Sequence, residues 1–341
     1  MPDGMGCSVN KPKPVTDARA LVDSSTRILL TSHRKPDGDA LGCMAALDAA
    51  LRRQGKDVQL LLLSPIPSWY AFLFDRLPPI LGEGMTVDQL TAGGYDLVVI
   101  VDTNSRNQLK DLAGWLDKAH VPVLVIDHHA TSDHLGRVEI TDTTAAAAGV
   151  LVHELIQSAG WSVTPDMATA LFVAVATDTG WFRFSNTDVR VLRIAAQLID
   201  AGADPAAVYA RLYQNFTSER FALMTTMLDH MSLHFDGRYA AQYLTAEDFR
   251  RTGAAYSDTE DLISECQRIG SVQVAAIFVE QQDGRIRCSL RSNGAVNVRG
   301  IAEQFGGGGH TNAAGTFLPA PVDHAMSLIQ DQIASRLPDV P

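Results

Sequence analysis

The sequence predicts an α/β protein in which a parallel-sheet N-terminal domain is followed by a smaller α/β domain. Three observations lead to this prediction. Short apolar runs alternate with helix-like segments in the first half, the pattern becomes helix-rich after about residue 185, and strand-like runs return near the C-terminus. A chain of 341 residues is long enough for two domains that each bury a core.

The strand-like runs of the first half are short, apolar and rich in β-branched residues, as expected for parallel strands buried on both faces. They cover residues 27–31, 58–63, 97–101 and 121–126. Helix-like segments lie between and after them, at residues 40–54, 145–159, 165–176 and 188–200. This alternation predicts a parallel sheet with helices on its faces.

The second half has a different order of elements. Residues 188–228 are helix-rich, and strand-like runs follow at 238–244, 272–280 and 286–291, with helices near 258–268 and 321–337. We therefore expect a disordered tail at 1–15, a first domain at 16–190, a helical connector at 191–228 and a second domain at 229–341.

The charge of the chain limits what it can bind. The net charge is −11, which argues against a broad basic surface for long DNA or RNA and leaves phosphate binding to a local pocket. Cys7, Cys43, Cys266 and Cys288 form no CxxC pair, and no apolar run approaches the ~20 residues of a membrane span. We expect a cytoplasmic protein with no membrane segment.

Histidine and aspartate residues form four clusters in the first half, each just beyond an apolar run. The clusters are His33 with Asp37 and Asp39, then Asp102, then Asp127 with His128 and His129, and finally Asp178. In open parallel sheets, ligands bind outside the carboxyl ends of the strands. We therefore expect these side chains to converge on one crevice.

Each cluster has a simpler interpretation when it is taken alone. Asp39 could cap the helix after a turn, Asp102 and Asp178 could be turn or cap residues, and the two adjacent histidines could be ordinary surface or core residues. The combination favours a metal site, because burying several acids together without a cation is very costly. Six candidate ligands, rich in oxygen, favour two Mn²⁺ or Mg²⁺ ions over one structural zinc ion.

The second half contains a glycine run, Gly306 to Gly309, that leads into His310 and a small-residue segment. Consecutive glycines let a phosphate approach the backbone N–H groups, although a flexible linker is the alternative. Upstream, a stretch without acidic residues contains four arginines, which could bind phosphate or simply form the exposed face of a strand. They are Arg285, Arg287, Arg291 and Arg299.

An aromatic cluster, Trp181 to Phe184, follows Asp178. It could stack a nucleobase, but core packing explains it equally well, and we leave it out of the predicted site.

Together, these motifs resemble the four motifs of the DHH phosphoesterases, whose signature matches Asp127-His128-His129. The Gly306–Gly315 segment resembles the loop of the C-terminal domain found in one branch of that family. This branch contains nano-RNases, cyclic and linear di-AMP phosphodiesterases and RecJ exonucleases. The compact length is most similar to the nano-RNase type, whose members also act as phosphoadenosine phosphatases.

The resemblance implies a role for each residue of the site, with the active site in the cleft between the two domains. One metal ion would be held by His33, Asp37 and Asp102. The second would be held by Asp39, Asp102, His128 and Asp178. Asp127 would orient the histidine pair, and His129 would contact the scissile phosphate. A substrate phosphate or terminal nucleotide would be held by Arg291, Gly307, Gly308, Gly309 and His310.

The implied function is hydrolysis of short oligoribonucleotides, and of 3′-phosphoadenosine 5′-phosphate, by water activated at two metal ions. We expect chains of about two to five nucleotides, because an acidic protein offers no basic track for long strands or duplexes. The partners would be short single-stranded RNA or DNA or nucleotides, and a homodimer is also expected. One alternative is a cyclic di-AMP or linear dinucleotide (pApA) phosphodiesterase. Another is a catalytically silent nucleotide-binding regulator.

Overall fold

The computed structural model describes residues 13–214, 216–260, 262–294 and 296–337. The chain divides into two compact units, an N-terminal unit (Met1–Asn215) and a C-terminal unit (Phe216–Pro341). The division lies inside the segment 191–228 that the sequence assigned to a connector. Residues 1–12, most of the expected disordered tail, lie outside the described residues.

The described part of the N-terminal unit contains a five-stranded sheet in the order β2-β1-β3-β4-β5, and every neighbouring pair is parallel. The strands are β1 (Arg27–Thr31), β2 (Asp57–Leu61), β3 (Leu97–Val101), β4 (Val123–Asp127) and β5 (Val138–Thr141). All residues of β3 and β4 are buried, which explains why β3, and β4 as far as Ile126, are apolar throughout. The parallel sheet confirms the predicted fold class, whereas the half-exposed edge strand β5 was not foreseen.

Helices cover both faces of this sheet. They are α1 (Lys13–Ser24), α2 (Gly38–Arg53), α3 (Val87–Ala92), α4 (Asp111–Ala119), α5 (Ala148–Ala159), α6 (Pro165–Asp178), α7 (Val189–Asp200) and α8 (Pro205–Tyr213). Short 3₁₀ helices occur at Ser68–Leu73 and Arg106–Gln108. Successive strand residues alternate between the two cores, so that Leu30 faces α2, α5 and α6 whereas Leu29 faces α3 and α4.

Helices α2 and α6 approach each other closely beside the sheet. A Cβ atom at Gly42 of α2 would lie 2.3 Å from the carbonyl oxygen of Ala170 in α6, so only glycine fits there. This close contact matters for the site, because Asp39 lies in the first turn of α2 and Asp178 is the last residue of α6.

The described part of the C-terminal unit contains helix α9 (Ser218–Asp229) and a mixed six-stranded sheet in the order β10-β11-β9-β8-β7-β6. The strands are β6 (Ser232–His234), β7 (Tyr239–Leu244), β8 (Val274–Glu280), β9 (Ile286–Ser292), β10 (Gly308–His310) and β11 (Ala313–Leu318). The remaining helices are α10 (Ala246–Thr252), α11 (Val298–Gln304) and α12 (Val322–Ala334), with 3₁₀ helices at Tyr256–Thr259 and Leu262–Arg268.

This unit differs from the prediction in several places, and its strands β6 and β11 were not predicted. The helix expected near residues 258–268 consists of 3₁₀ segments, and the end of the glycine run forms an edge strand rather than a loop. In the described part of the chain, no helix has both the length and the apolar character needed to cross a lipid bilayer.

Candidate metal centre

The predicted ligands lie at the carboxyl ends of three neighbouring strands. His33 lies just after β1, Asp102 follows β3 directly, and Asp127 ends β4 with His128 next in the chain. Because β1, β3 and β4 are parallel and adjacent, their carboxyl ends meet at one edge of the sheet. The α2–α6 contact brings Asp39 and Asp178 to the same place.

Asp102 lies at the centre of this arrangement and is 2% exposed. Its φ of +60° is in the left-handed region, which costs free energy for a residue other than glycine and tends to persist at functional sites. One carboxylate oxygen, Oδ2, lies 3.3 Å from His33 Nε2. The other, Oδ1, lies 3.5 Å from His128 Nε2, is buried, and has no hydrogen-bond partner among the described residues.

Two more side chains complete a first group around Asp102. Donor atoms of His33, Asp37 and Asp102 all lie within 4.8 Å of one another. Asp37 is the N-cap of α2, and its Oδ1 accepts hydrogen bonds from the backbone N–H groups of Asp39 and Ala40. His33 donates from Nδ1 to the carbonyl oxygen of Arg34 at 2.9 Å, which leaves Nε2 for the carboxylate side.

A second group consists of Asp39, His128 and Asp178, whose donor atoms are also within 4.8 Å of one another. His128 Nε2 lies 3.8 Å from Asp39 Oδ2 and 3.6 Å from Asp178 Oδ2. Asp39 is 1% exposed and does not cap its own helix. Instead, its two oxygens accept hydrogen bonds from the N–H groups of Ala148 and Gly149, at the start of α5.

His129 and the fully buried Asp127 form a pair beside these groups. His129 donates from Nδ1 to Asp127 Oδ1 at 2.8 Å, and its backbone N–H donates to the same oxygen. The side chain of His129 is half-exposed, and its Nδ1 lies 3.7 Å from Asp102 Oδ1. Asp127 therefore fixes the orientation of an imidazole that solvent can reach.

The pKa values show that the clustered carboxylates favour positive charge and bound protons around them. Burial by itself lowers the pKa of His33 and His128, but Asp102 and the other nearby carboxylates raise them to about 9 and about 10. Burial raises the pKa of Asp178 to about 6, and burial together with Asp102 and Asp178 raises the pKa of Asp39 well above its usual range. These carboxylates and imidazoles surround Asp102 Oδ1, which has no hydrogen-bond partner among the described residues, and their raised pKa values show that they retain protons. Such a set of oxygen and nitrogen ligands fits divalent cations.

The residues predicted to bind substrate lie in the C-terminal unit. Arg291 of β9 is in register with Ala313 of β11, which is in register with His310 of β10. The backbones of Arg291 and His310 therefore lie in one row across three strands. Arg291 is partly exposed and donates from Nη1 to the carbonyl oxygen of Leu290 at 3.1 Å. The side chain of His310 is not among the described parts of the structure.

The three predicted glycines of the run differ in their surroundings. A Cβ atom at Gly307 would lie 2.2 Å from the carbonyl oxygen of Gly315, and one at Gly309 would lie 2.4 Å from that of Ala313. Packing of β10 against β11 thus accounts for glycine at both positions. A Cβ atom at Gly308 would have no described atom within 4 Å, so the space beside Gly308 is open.

Sequence reasoning missed the backbone of residues 145–149, which contacts both Asp39 and His128. The run of four alanines favoured a helix from residue 145, but α5 begins only at Ala148. A sequence pattern does not show which backbone groups outside a helix will face a distant side chain.

Comparisons with known proteins show what this chain is similar to. The family profile described as DHH family, N-terminal domain, matches residues 27–176, and the DHHA1 domain profile matches residues 236–335. A bifunctional oligoribonuclease and PAP phosphatase NrnA from Thermus thermophilus is 30% identical and covers 91% of this chain and 90% of its own. The Bacillus subtilis protein of that name is 28% identical, with coverages of 84% and 88%. The cyclic-di-AMP phosphodiesterase PdeA of Listeria monocytogenes is 26% identical over 87% of this chain and 46% of its own.

Solved structures share the fold. An exopolyphosphatase-related protein from Bacteroides fragilis has a TM-score of 0.85 at 22% identity, covering 94% of this chain and 96% of its own. RecJ from Thermus thermophilus, in complex with Mn²⁺, has a TM-score of 0.53 at 16% identity, covering 96% and 56%. Because both family profiles match, and because a relative at 30% identity is covered almost end to end, the chain belongs to the DHH family and carries the DHHA1 domain in its C-terminal half.

Proposed function

We propose that this protein is a metal-dependent phosphoester hydrolase that acts on short oligoribonucleotides and on 3′-phosphoadenosine 5′-phosphate. The observation that carries the proposal is the convergence of His33, His128 and four aspartates at one edge of the sheet, with Asp102 adjoining both groups. The NrnA relatives, named as oligoribonucleases and PAP phosphatases, support this choice of substrates.

The donor set would hold two divalent ions, for which Mn²⁺ is the first candidate and Mg²⁺ the second. One would be bound by His33, Asp37 and Asp102. The other would be bound by Asp39, Asp102, His128 and Asp178. When bound, such a pair lowers the pKa of water and stabilises the charge that develops on the phosphate.

His129 is the proposed contact to the scissile phosphate. Its hydrogen bond to Asp127 raises the pKa of His129, so that the imidazolium form is favoured. Because Nδ1 is engaged by Asp127, Nε2 is the ring nitrogen through which His129 can donate to a phosphate oxygen. A charged donor aimed at developing negative charge stabilises the transition state, and the same group can protonate the leaving oxygen.

The C-terminal unit would supply the contacts that select a short substrate. Arg291 offers a charged fork suited to a phosphate, and the space above Gly308 lets a phosphate approach the backbone. Gly307, Gly309 and His310 are proposed members of the same subsite. We propose that the protein is located in the cytoplasm, where substrates of this kind occur. We also propose a homodimer, which light scattering of the purified protein tests.

A second candidate is a phosphodiesterase for cyclic di-AMP or linear pApA. The similarity to PdeA, named as a cyclic-di-AMP phosphodiesterase, favours it, and the same donor set could serve either substrate. The third candidate is a catalytically silent regulator. The cluster of candidate metal ligands argues against it, because nucleotide binding alone would not need so many acidic residues close together.

The test is one assay of the purified protein supplied with Mn²⁺. The substrates are a ribodinucleotide, a pentamer, a long single strand, cyclic di-AMP and 3′-phosphoadenosine 5′-phosphate. The proposal expects the highest kcat/KM on the two short oligomers and measurable phosphatase activity. A preference for cyclic di-AMP would favour the second candidate, and metal binding without turnover of any substrate would favour the regulator.

A further inference from the structure

The backbone of residues 145–149 touches two of the three side chains in the second group of candidate ligands. The carbonyl oxygen of Ala145 accepts a hydrogen bond from His128 Nδ1 at 3.1 Å. The N–H groups of Ala148 and Gly149 donate to the carboxylate of Asp39 at 2.6 and 2.8 Å. One short segment therefore orients both the imidazole and the carboxylate.

Asn186 connects the third side chain of the group to the same segment. Its Nδ2 donates to the carbonyl oxygen of Ala146 at 3.0 Å and to that of Asp178 at 3.2 Å. Asp178 is the last residue of α6, where carbonyl groups have no partner within the helix. The Asn186 amide thus joins the end of α6 to the segment that contacts His128 and Asp39.

The loop between Asp178 and Asn186 is held tightly against the end of α6. Three consecutive residues, Gly180, Trp181 and Phe182, have φ values of +55°, +59° and +60°. Such a conformation is unfavourable for bulky residues and persists only when the surroundings fix it. Trp181 packs edge-on against Phe172 of α6 and Tyr209 of α8, with ring centroids 6.1 and 5.0 Å away.

We propose that Asn186 is a positioning residue of the metal centre. By joining the end of α6 to residues 145–149, it keeps Asp178 in the correct place relative to Asp39 and His128. The inference rests on the proposed function, because it assumes that these three side chains bind an ion. Asn186 acts through the backbone of Asp178 and needs no contact with an ion or a substrate.

Two substitutions of Asn186 and one matched control test the proposal. Asn186→Ala removes the amide. Asn186→Asp keeps the shape of the side chain but loses both hydrogen bonds, because its oxygen cannot donate to the two carbonyl oxygens. The added negative charge would by itself strengthen cation binding. The control, Thr164→Ala, removes the cap at the opposite end of α6, where Thr164 Oγ1 accepts a hydrogen bond from the N–H of Met167.

The readouts are Mn²⁺ binding to the metal-free full-length protein by calorimetry, and thermal unfolding without metal. We expect Asn186→Ala and Asn186→Asp to bind one of the two Mn²⁺ ions roughly 10-fold more weakly than the wild type does. Loss of other groups that orient metal ligands has an effect of this size. Thr164→Ala should bind as the wild type does despite a similar loss of stability.

Two results would overturn the inference while leaving the proposed function in place. One is wild-type Mn²⁺ affinity in both Asn186→Ala and Asn186→Asp. The other is an equal loss of affinity in Thr164→Ala, which would assign the effect to the general stability of α6. A wild-type protein that binds no Mn²⁺ would instead reject the proposed metal centre, and the role of Asn186 with it.

Discussion

At the scale of single residues, Asp102 has the largest expected effect. Its two oxygens face His33 and His128, so Asp102 adjoins both groups of candidate ligands. Asp102→Asn keeps the volume and removes the charge, so we expect fewer than two bound ions per chain and activity at background level. Metal analysis and turnover with a dinucleotide measure both quantities.

The control for this variant is Asp57→Asn, at the opposite end of the sheet. Asp57 begins β2 and forms an exposed ion pair with Arg27, which contributes little to stability. Asp57→Asn should keep full metal content and activity. Two bound ions and normal turnover in Asp102→Asn would contradict the proposal that Asp102 binds both ions.

Proton release should accompany metal binding. In the metal-free protein, the pKa values of His33 and His128 are about 9 and about 10, so both imidazoles carry a proton at pH 7.5. A metal ion binds only the neutral form, and protons therefore compete with it below these pKa values. The affinity for Mn²⁺ should rise with pH from 7 towards 9. Calorimetry in buffers of different ionisation enthalpy should detect the released protons, and a pH-independent affinity would contradict the assignment.

Arg291 and Arg287 provide a matched pair for the substrate subsite. Both lie on the same face of β9, four residues apart. Loss of a charge-assisted phosphate contact in Arg291→Ala should raise KM roughly 10- to 150-fold, with kcat nearly unchanged. Arg287→Ala should leave KM near the wild-type value. Equal KM values for the two variants would remove Arg291 from the proposed subsite.

At the scale of secondary-structure elements, the contact between α5 and α6 is the sensitive one. A Cβ atom at Gly149 would lie 2.6 Å from the Cβ of Ala174 and 3.3 Å from Asp39 Oδ1. Gly149→Ala should therefore lower the free energy of unfolding by about 1–3 kcal/mol and displace Asp39, which weakens metal binding. Thermal unfolding and Mn²⁺ titration measure the two effects.

Gly114 in α4 is the matched control, because a Cβ atom there has no described atom within 4 Å. Gly114→Ala should leave metal binding unchanged and stabilise the protein by up to about 1 kcal/mol, since alanine favours a helix over glycine. If Gly149→Ala and Gly114→Ala changed the free energy of unfolding equally, steric contact at Gly149 would not be the cause of the change.

At the scale of the whole molecule, the net charge predicts how substrate length affects binding. With a charge of −11 and local phosphate contacts only, extra nucleotides should add no attraction. The logarithm of kcat/KM against the logarithm of salt concentration should have a slope of about −0.7 to −1.4 for one or two contacted phosphates. A dinucleotide and a long single strand should give the same slope. A steeper slope on the long strand would indicate a basic track and an exonuclease that follows the strand.

Much of the fold and of the candidate site was predictable from the sequence. The bounds of β1 and β3 match the predicted runs, because strands buried on both faces must be apolar throughout. The strands β5, β6, β10 and β11 were not foreseen, because short edge strands and strands of small residues carry little apolar signal. The ligand candidates were visible because His and Asp directly followed buried strands.

The sequence by itself determined which residues can supply charge to the site and that they follow the ends of strands. Both can be recognised from short stretches of sequence, because the side-chain types and the apolar runs of buried strands are local features. Only the tertiary structure decided that Asp37 rather than Asp39 caps α2, and that Asp39 instead accepts hydrogen bonds from the start of α5. It also decided that Asn186 meets Ala146 and Asp178. These contacts join residues far apart in the chain through backbone groups that every residue carries, so no residue type in the sequence marks them.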